Sequence, residues 1–315
     1  LTGNVVGSDD LAPEQQREIE AGIDIATLDN RGTLEFTWFQ KNVSDLLLQR
    51  TLAPSSGFGL EIFNGGKLRT RGIEIGVQAL PFVSRDAQWV LRATYFTNTT
   101  TITELPVPTF RVGGFGTSLG AFEIAEAKSS TQIVGNDSLP EGTSVVRAIG
   151  DATPDFVMSF GSDLPWRGLS FTGLLDWQKG SHIINLTKFL YDLGQNTEDY
   201  ADPFTRADGT TTTVGAHRLE AWPKETSVYV EEAGFVKLRE LTLTYLLPNS
   251  WTSRLFSAGR DARLCFSGRN LFTSTNYSGL DPEVSNFGNQ NIARNIDVAP
   301  FPPSRSFWLG LEVNF

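Results

Sequence analysis

The sequence predicts an all-β protein: an antiparallel, up-and-down transmembrane β-barrel wall. Two observations predict it. Apolar and polar residues alternate with period two along most of the chain, with almost no 3.6-residue pattern. The connections between these stretches are short and long by turns, without exception.

The stretches follow in order. Ile19, Ala21, Ile23 and Ile25 face away from Glu20, Gly22 and Asp24. Leu34, Phe36 and Trp38 alternate with Glu35, Thr37 and Phe39, and Ile73, Ile75, Val77 and Ala79 with Glu74, Gly76 and Gln78. Trp89, Leu91, Ala93 and Tyr95 oppose Val90, Arg92 and Thr94; Phe156, Met158 and Phe160 oppose Val157, Ser159 and Gly161. Leu169, Phe171, Leu175 and Trp177 oppose Ser170, Thr172 and Asp176. Leu241, Leu243, Tyr245 and Leu247 oppose Thr242 and Thr244, and Leu264 and Phe266 oppose Cys265 and Ser267. With the last ten residues, SFWLGLEVNF, these make about nine strands.

The connection at Leu28–Arg31 is tight, 45–68 is long, 81–86 short and 102–153 very long. Residues 164–168 are short, 180–232 very long, 248–259 moderate and 272–302 long. In an up-and-down sheet all short turns then lie at one end and all long loops at the other, which is the plan of an outer-membrane barrel. Hydrocarbon requires every backbone polar group to be paired internally, and a closed sheet does this. The apolar rows would face lipid. Glu20, Asp24, Glu35, Glu74, Gln78, Arg92, Asp176 and Glu312 would face a wet lumen. Trp38, Trp89, Tyr95, Trp177 and Tyr245 stand near strand ends, where interfacial aromatic girdles belong. A soluble carbohydrate-binding β-sandwich also alternates, but it needs no rule for loop length. A passive porin-like barrel is the other alternative.

Composition narrows the function. A net charge of −10 disfavours nucleic-acid binding, which needs a basic stripe. One cysteine, Cys265, allows neither a disulfide framework nor a cysteine zinc cluster, and two histidines leave little for a histidine site. No apolar run is long enough for a transmembrane helix. Ser181 and His182 are adjacent and do not face one another, and no Gly-x-Ser-x-Gly elbow occurs, so no catalytic residues are assigned. RVGGFG (111–116) lacks the strand, helix and lysine of a phosphate loop and reads as a flexible part of a long loop. Loop carboxylates such as Asp199, Asp202, Asp208, Glu231 and Glu232 lack calcium-loop spacing. No metal or cofactor is expected. The chain begins at Leu1 without a signal peptide, so it is expected to be a piece of a longer precursor.

Several stretches, in order, resemble the SusC/RagA-like TonB-dependent transporters of Bacteroidetes-type bacteria. They are EQQREIEAGIDIATLDNRGTLEFTWFQKNVSDLLL (14–48), NGGKLRTRGIEIGVQALPF (64–82), ATPDFVMSFGSDLPWRGLSF (152–171), EEAGFVKLRELTLTYLLP (231–248), LCFSGRNLFTSTNYSGLDPEV (264–284) and PFPPSRSFWLGLEVNF (300–315). The resemblance implies that residues 1–315 are the C-terminal part of one barrel domain, about nine strands of a 22-stranded barrel, with plug domain and early strands absent. It implies a place in the cell outer membrane and energised import of nutrients such as oligosaccharides or peptides. It further implies a SusD-like surface lipoprotein as lid, the TonB complex acting through the missing plug, and outer-membrane lipid around the wall. The terminal strand, with Phe307, Leu309, Leu311, Val313 and Phe315 on one side, resembles the signal read by the outer-membrane insertion machinery.

The long loops hold aromatics among polar residues. Trp222 and Tyr200, then Tyr191, Phe204 and Tyr277, are the candidates for ligand or lid contact, since aromatic faces stack on rings and on apolar anchors. Tyr277–Glu283 carries a turn motif in which Gly279, Asp281 and Pro282 would hold the last loop in shape.

Overall fold

The structure, a computed structural model, describes residues 5–27, 29–52, 56–139, 142–255, 261–290 and 292–314. The expected roles of Leu28 in the first turn and of Phe315 at the terminus lie outside these residues.

The long strands form one nine-stranded sheet in strict chain order. They are β1 (Gln15–Thr27), β2 (Gly32–Ser44), β3 (Lys67–Val83), β4 (Gln88–Glu104), β5 (Phe156–Trp166), β6 (Leu169–Lys179), β7 (Phe235–Leu246), β8 (Ala262–Thr275) and β9 (Ser306–Val313). Every pairing is antiparallel. One tight turn sets Asp29 and Asn30 at φ 53° and 65°, and another sets Arg167 and Gly168 at 47° and 85°. Two successive positive φ angles give the twist that closes a two-residue hairpin. Asn, Asp and Gly tolerate that region best, which is why these turns were visible in the sequence.

Register places the apolar rows on one surface. Phe36 pairs with Ile75, Ile75 with Tyr95, Tyr95 with Met158 and Met158 with Trp177. Ile23, Leu241, Leu309 and Leu311 on this surface are half or more exposed. Among the described residues no second sheet covers them, so the β-sandwich alternative fails. Its natural solvent is lipid. Among the described residues β1 pairs with β2 alone and β9 with β8 alone, leaving two free edges.

The reading of RVGGFG as a flexible part of a long loop is corrected. Residues 105–155 build a four-stranded sheet whose members are Phe110–Gly114, Ala121–Ile124, Gln132–Ser138 and Ser144–Asp151. RVGGFG therefore begins within a strand. Its Gly114, at φ +93°, passes so close to Gly120 that a Cβ would lie 2.3 Å from the Gly120 carbonyl oxygen. Residues 180–234 contain α1 (Leu186–Leu193), α2 (Val214–Ala221) and the strands His182–Asn185 and Val230–Glu232. The short strand Ile296–Asp297 of the last loop joins them in parallel with His182–Asn185. The molecule's principal apolar core lies here, above the wall: Phe122, Ile133, Ile184, Leu186, Ala293 and Ile296 from three different loops. A wall one sheet thick has no inside of its own, whereas loops standing in water must bury theirs.

Candidate functional site

The long-loop end is held together by two ionic knots. In the first, α1 begins at Asn185, whose side chain accepts the Lys188 N–H, and buries Leu186, Phe189 and Asp192. Asp192 is fully buried. It accepts hydrogen bonds from Arg218 Nε and Nη2, both at 2.7 Å, and from the Tyr229 hydroxyl at 3.0 Å. Arg218, on α2, also donates to both oxygens of Asp199, at 2.7 and 2.8 Å. One guanidinium thus staples α1, α2 and the segment between them. Hydrogen bonds from Arg218 hold the Asp199 carboxyl below the usual carboxylate range. Burial, with the neighbouring Asp192 charge, pushes the Tyr229 hydroxyl up.

The second knot ties the last loop to the inner wall. Lys237 of β7 stands opposite Asp176 in register, on the luminal row. Its ammonium donates to Asp281 at 2.6 and 2.8 Å and to Glu283 at 2.6 Å. Arg239 bridges Glu283 and Asp176. Burial raises the Glu283 pKa, but hydrogen bonds from Arg239 and Lys237 outweigh it and the net direction is down. The loop therefore folds inward over the mouth.

The candidate residues separate into groups. Tyr191 and Tyr277 line one cavity of about 700 Å³, together with Lys188, Asp199, Asp202 and Gly279. Tyr191 is half exposed on the outer face of α1, beside Leu190 and Leu193. Tyr277 is buried, and its hydroxyl donates to Asp297; burial, then that bond, pushes its pKa up. Gly279 packs beneath the Tyr277 ring, where a Cβ would lie 2.4 Å from it. Trp222 stands away from this cavity, its indole N–H on the Ser118 carbonyl at 2.7 Å and its ring against Phe189. The Tyr200 ring lies on Gly215 of α2, with room for no side chain there. Phe204 stacks on His217 at 3.8 Å between centroids. Asp281 meets Lys237, as above, and Pro282 lines a second cavity of about 580 Å³ between the last loop and the wall. Phe307, Leu309 and Leu311 are exposed on the lipid surface and Val313 is partly covered.

Sequence reasoning passed over Lys237, Arg239, Asp192 and Arg218. The first two were legible as cations two residues apart in a strand that, Glu240 aside, is otherwise apolar and hydroxylated. The pairing of Asp192 with Arg218 had no local signal.

The model of the family described as TonB dependent receptor-like, β-barrel, matches residues 1–231. The chain belongs to this family. It is 29% identical to TonB-dependent receptor P3 of Formosa agariphila, over 98% of this chain and 35% of that protein. It is 22% identical to TonB-dependent receptor SusC of Bacteroides thetaiotaomicron, over 98% of this chain and 32% of that one. The chain thus spans about a third of the curated relatives it matches. Its fold is similar to the RagAB peptide importer in the open-open state, with a TM-score of 0.71 at 21% identity, over 97% of this chain and 35% of that one. These relatives are receptors and importers of the outer membrane, not enzymes. The nine-stranded sheet is a stretch of such a wall, its apolar rows in the outer membrane and its long loops together at one end.

Proposed function

We propose that this chain supplies wall and outer loops to a TonB-driven importer of nutrients, oligosaccharides or peptides, capped by a SusD-like lipoprotein. In this reading residues 1–315 are the C-terminal part of a single barrel domain. The free edges of β1 and β9 take the remaining strands, and the plug that TonB pulls lies outside this segment.

The observation that carries the reading is the outer face of α1. Leu190, Tyr191 and Leu193 are about half exposed there, and Leu280 is three-quarters exposed. Beneath them the Asp192–Arg218–Asp199 knot makes the support stiff. Exposed apolar residues on a rigid base are what a partner surface needs, and a mobile loop would lose more entropy on docking. The similarity to SusC and to a two-component peptide importer supports the same partner and cargo classes.

The test uses cells making the complete receptor. Uptake of a labelled nutrient is expected to stop when a protonophore collapses the inner-membrane gradient. A surface lipoprotein is expected to co-purify with the native receptor and to be lost from a Leu190→Asp, Leu193→Asp double variant. Uptake that ignores the protonophore, with no lipoprotein recovered, would establish the passive porin instead.

A further inference from the structure

We infer that the inner wall carries a ring-binding site at the barrel mouth, formed by Phe39, Phe96 and the cavity that Phe96 helps to line, and that its ligand is a pyranose ring of an oligosaccharide. The inference rests on the importer reading above and adds to it a place and a chemistry for the cargo.

Much of the luminal row of β1–β4 is hydrophilic, with Glu20, Asp24, Glu35, Glu74, Gln78 and Arg92, and its apolar members besides the two rings include the aliphatic Val43, Leu68, Val90 and Ile102. Phe39 and Phe96 break this row. Alternation places both on the luminal side, since their neighbours Trp38 and Tyr95 belong to the lipid surface. The two rings lie nearly parallel, 6.3 Å between centroids and 9° between planes. Gly72 of β3, paired with Phe39 and with Asn98, makes the arrangement possible. A Cβ on Gly72 would come within 2.3 Å of the Phe39 ring. Phe96 remains 37% exposed. An apolar aromatic pair standing in a wet channel lowers its free energy by meeting another flat apolar surface.

The cavity beside it is roofed by the inward-folded last loop. Phe96, Asn98 and Gln178 line it from the wall, and Val284, Ile292 and Asn295 from the loop. Its volume, about 580 Å³, suits a small ligand or one or two sugar units of a longer one. Unmet hydrogen-bonding groups face it. The Asn98 side-chain amide makes no hydrogen bond among the described residues. Gln178 gives its N–H to Ser181 Oγ at 2.8 Å, and Asn295 gives its own to the Ala152 and His182 carbonyls. Both amide oxygens are left to accept. The one carboxylate lining the cavity, Glu283, is held by Arg239 and Lys237. No free acid is available for a cationic side chain. Arg294 also lines the cavity, so amide and guanidinium groups surround the apolar platform, and they match a pyranose, whose faces present C–H groups and whose edges present hydroxyls.

The test uses the complete receptor purified in detergent, without lipoprotein. Neutral oligosaccharides on an array identify the tightest probe, which is titrated calorimetrically into wild type, Phe96→Ala, Phe39→Ala, Phe96→Trp and Trp251→Ala. Heat-modifiable mobility on a gel checks that each variant keeps its barrel. Phe96→Ala and Phe39→Ala are each expected to raise Kd by about two- to tenfold, the range of one aromatic contact. Phe96→Trp should preserve binding, and Trp251→Ala, at the short-turn end, should not change it. Unchanged Kd in both alanine variants overturns the site and leaves the importer reading intact. A receptor that binds peptides and no oligosaccharide overturns the ligand class. Phe96-dependent binding in a receptor whose uptake ignores the protonophore would keep the site and remove the importer.

Discussion

The wall and the loop cap of this molecule obey the same physics with opposite results. Wall residues such as Ile23, Leu241 and Leu309 are apolar and exposed, whereas cap residues Phe122, Ile133, Ile184 and Ile296 are apolar and shielded from solvent. The difference is the solvent. Lipid accepts an apolar side chain at no cost, so the wall needs only internally paired backbone and a lumen lined with polar groups. Water does not, so the cap must build a core and stiffen it with buried ion pairs. Mutations should therefore separate the two regions sharply.

The largest effect should come from the cap's first knot. Arg218→Ala leaves Asp192 buried and uncompensated, at a cost of about 3–5 kcal/mol. Hydrogen exchange over 186–229 should rise by orders of magnitude while the barrel's heat-modifiable gel shift persists. Loss of that gel shift would mean that cap and wall unfold as one unit. Next comes an identical change made in both places. Ile133→Ala opens a cavity in the cap core and should cost about 2–5 kcal/mol. Ile75→Ala on the lipid surface opens none, since acyl chains close over it, and should cost clearly less. Equal losses, read by thermal unfolding in the same detergent, would erase the distinction. The inverse change is Leu241→Lys in the wall. A lysine near the bilayer midplane costs about 2–4 kcal/mol, and reduced insertion into vesicles should show it. A lysine at Leu280, already three-quarters exposed, should leave folding unchanged.

The two regions also differed in how far the sequence revealed them. Each wall strand announces itself, because Phe36, Ile75, Tyr95 and Trp177 are apolar at every second position and their register neighbours share that surface. The cap core has no such repeat. Phe122 and Ile133 come from the second long loop, Ile184 and Leu186 from the third, Ala293 and Ile296 from the fourth. Only the wall's topology brings them together. The helices hid for a related reason: α1 and α2 are eight residues each, too short to print a 3.6-residue period. The luminal pair was half legible, since Phe39 already stood on the polar row. Its partner Phe96 became visible only through the pairing of β3 with β4 and the gap left by Gly72.

Acid should sharpen the comparison further, with a smaller effect. Asp199 and Glu283 both have their carboxyls held below the ordinary range in the folded cap, by Arg218 in one case and by Arg239 and Lys237 in the other. A lowered folded pKa means the unfolded cap binds protons more readily. The stabilisation is therefore complete above the unfolded values, about 3.9 for Asp and 4.3 for Glu. It is lost as pH falls through the lower folded values. Between pH 7 and 5 these two carboxylates stay ionised and contribute no pH dependence. Below about pH 4 its hydrogen exchange, corrected for intrinsic rates, should accelerate first over 186–229 and 276–290. The wall strands, held by their continuous backbone pairing and by apolar rows against lipid, should lag behind. Cap loosening between pH 7 and 5 would contradict the assignment of these carboxylates as the titrating groups. An Asp199→Asn variant, already lacking one of the charges, should show a shallower acid response over 186–229 alone.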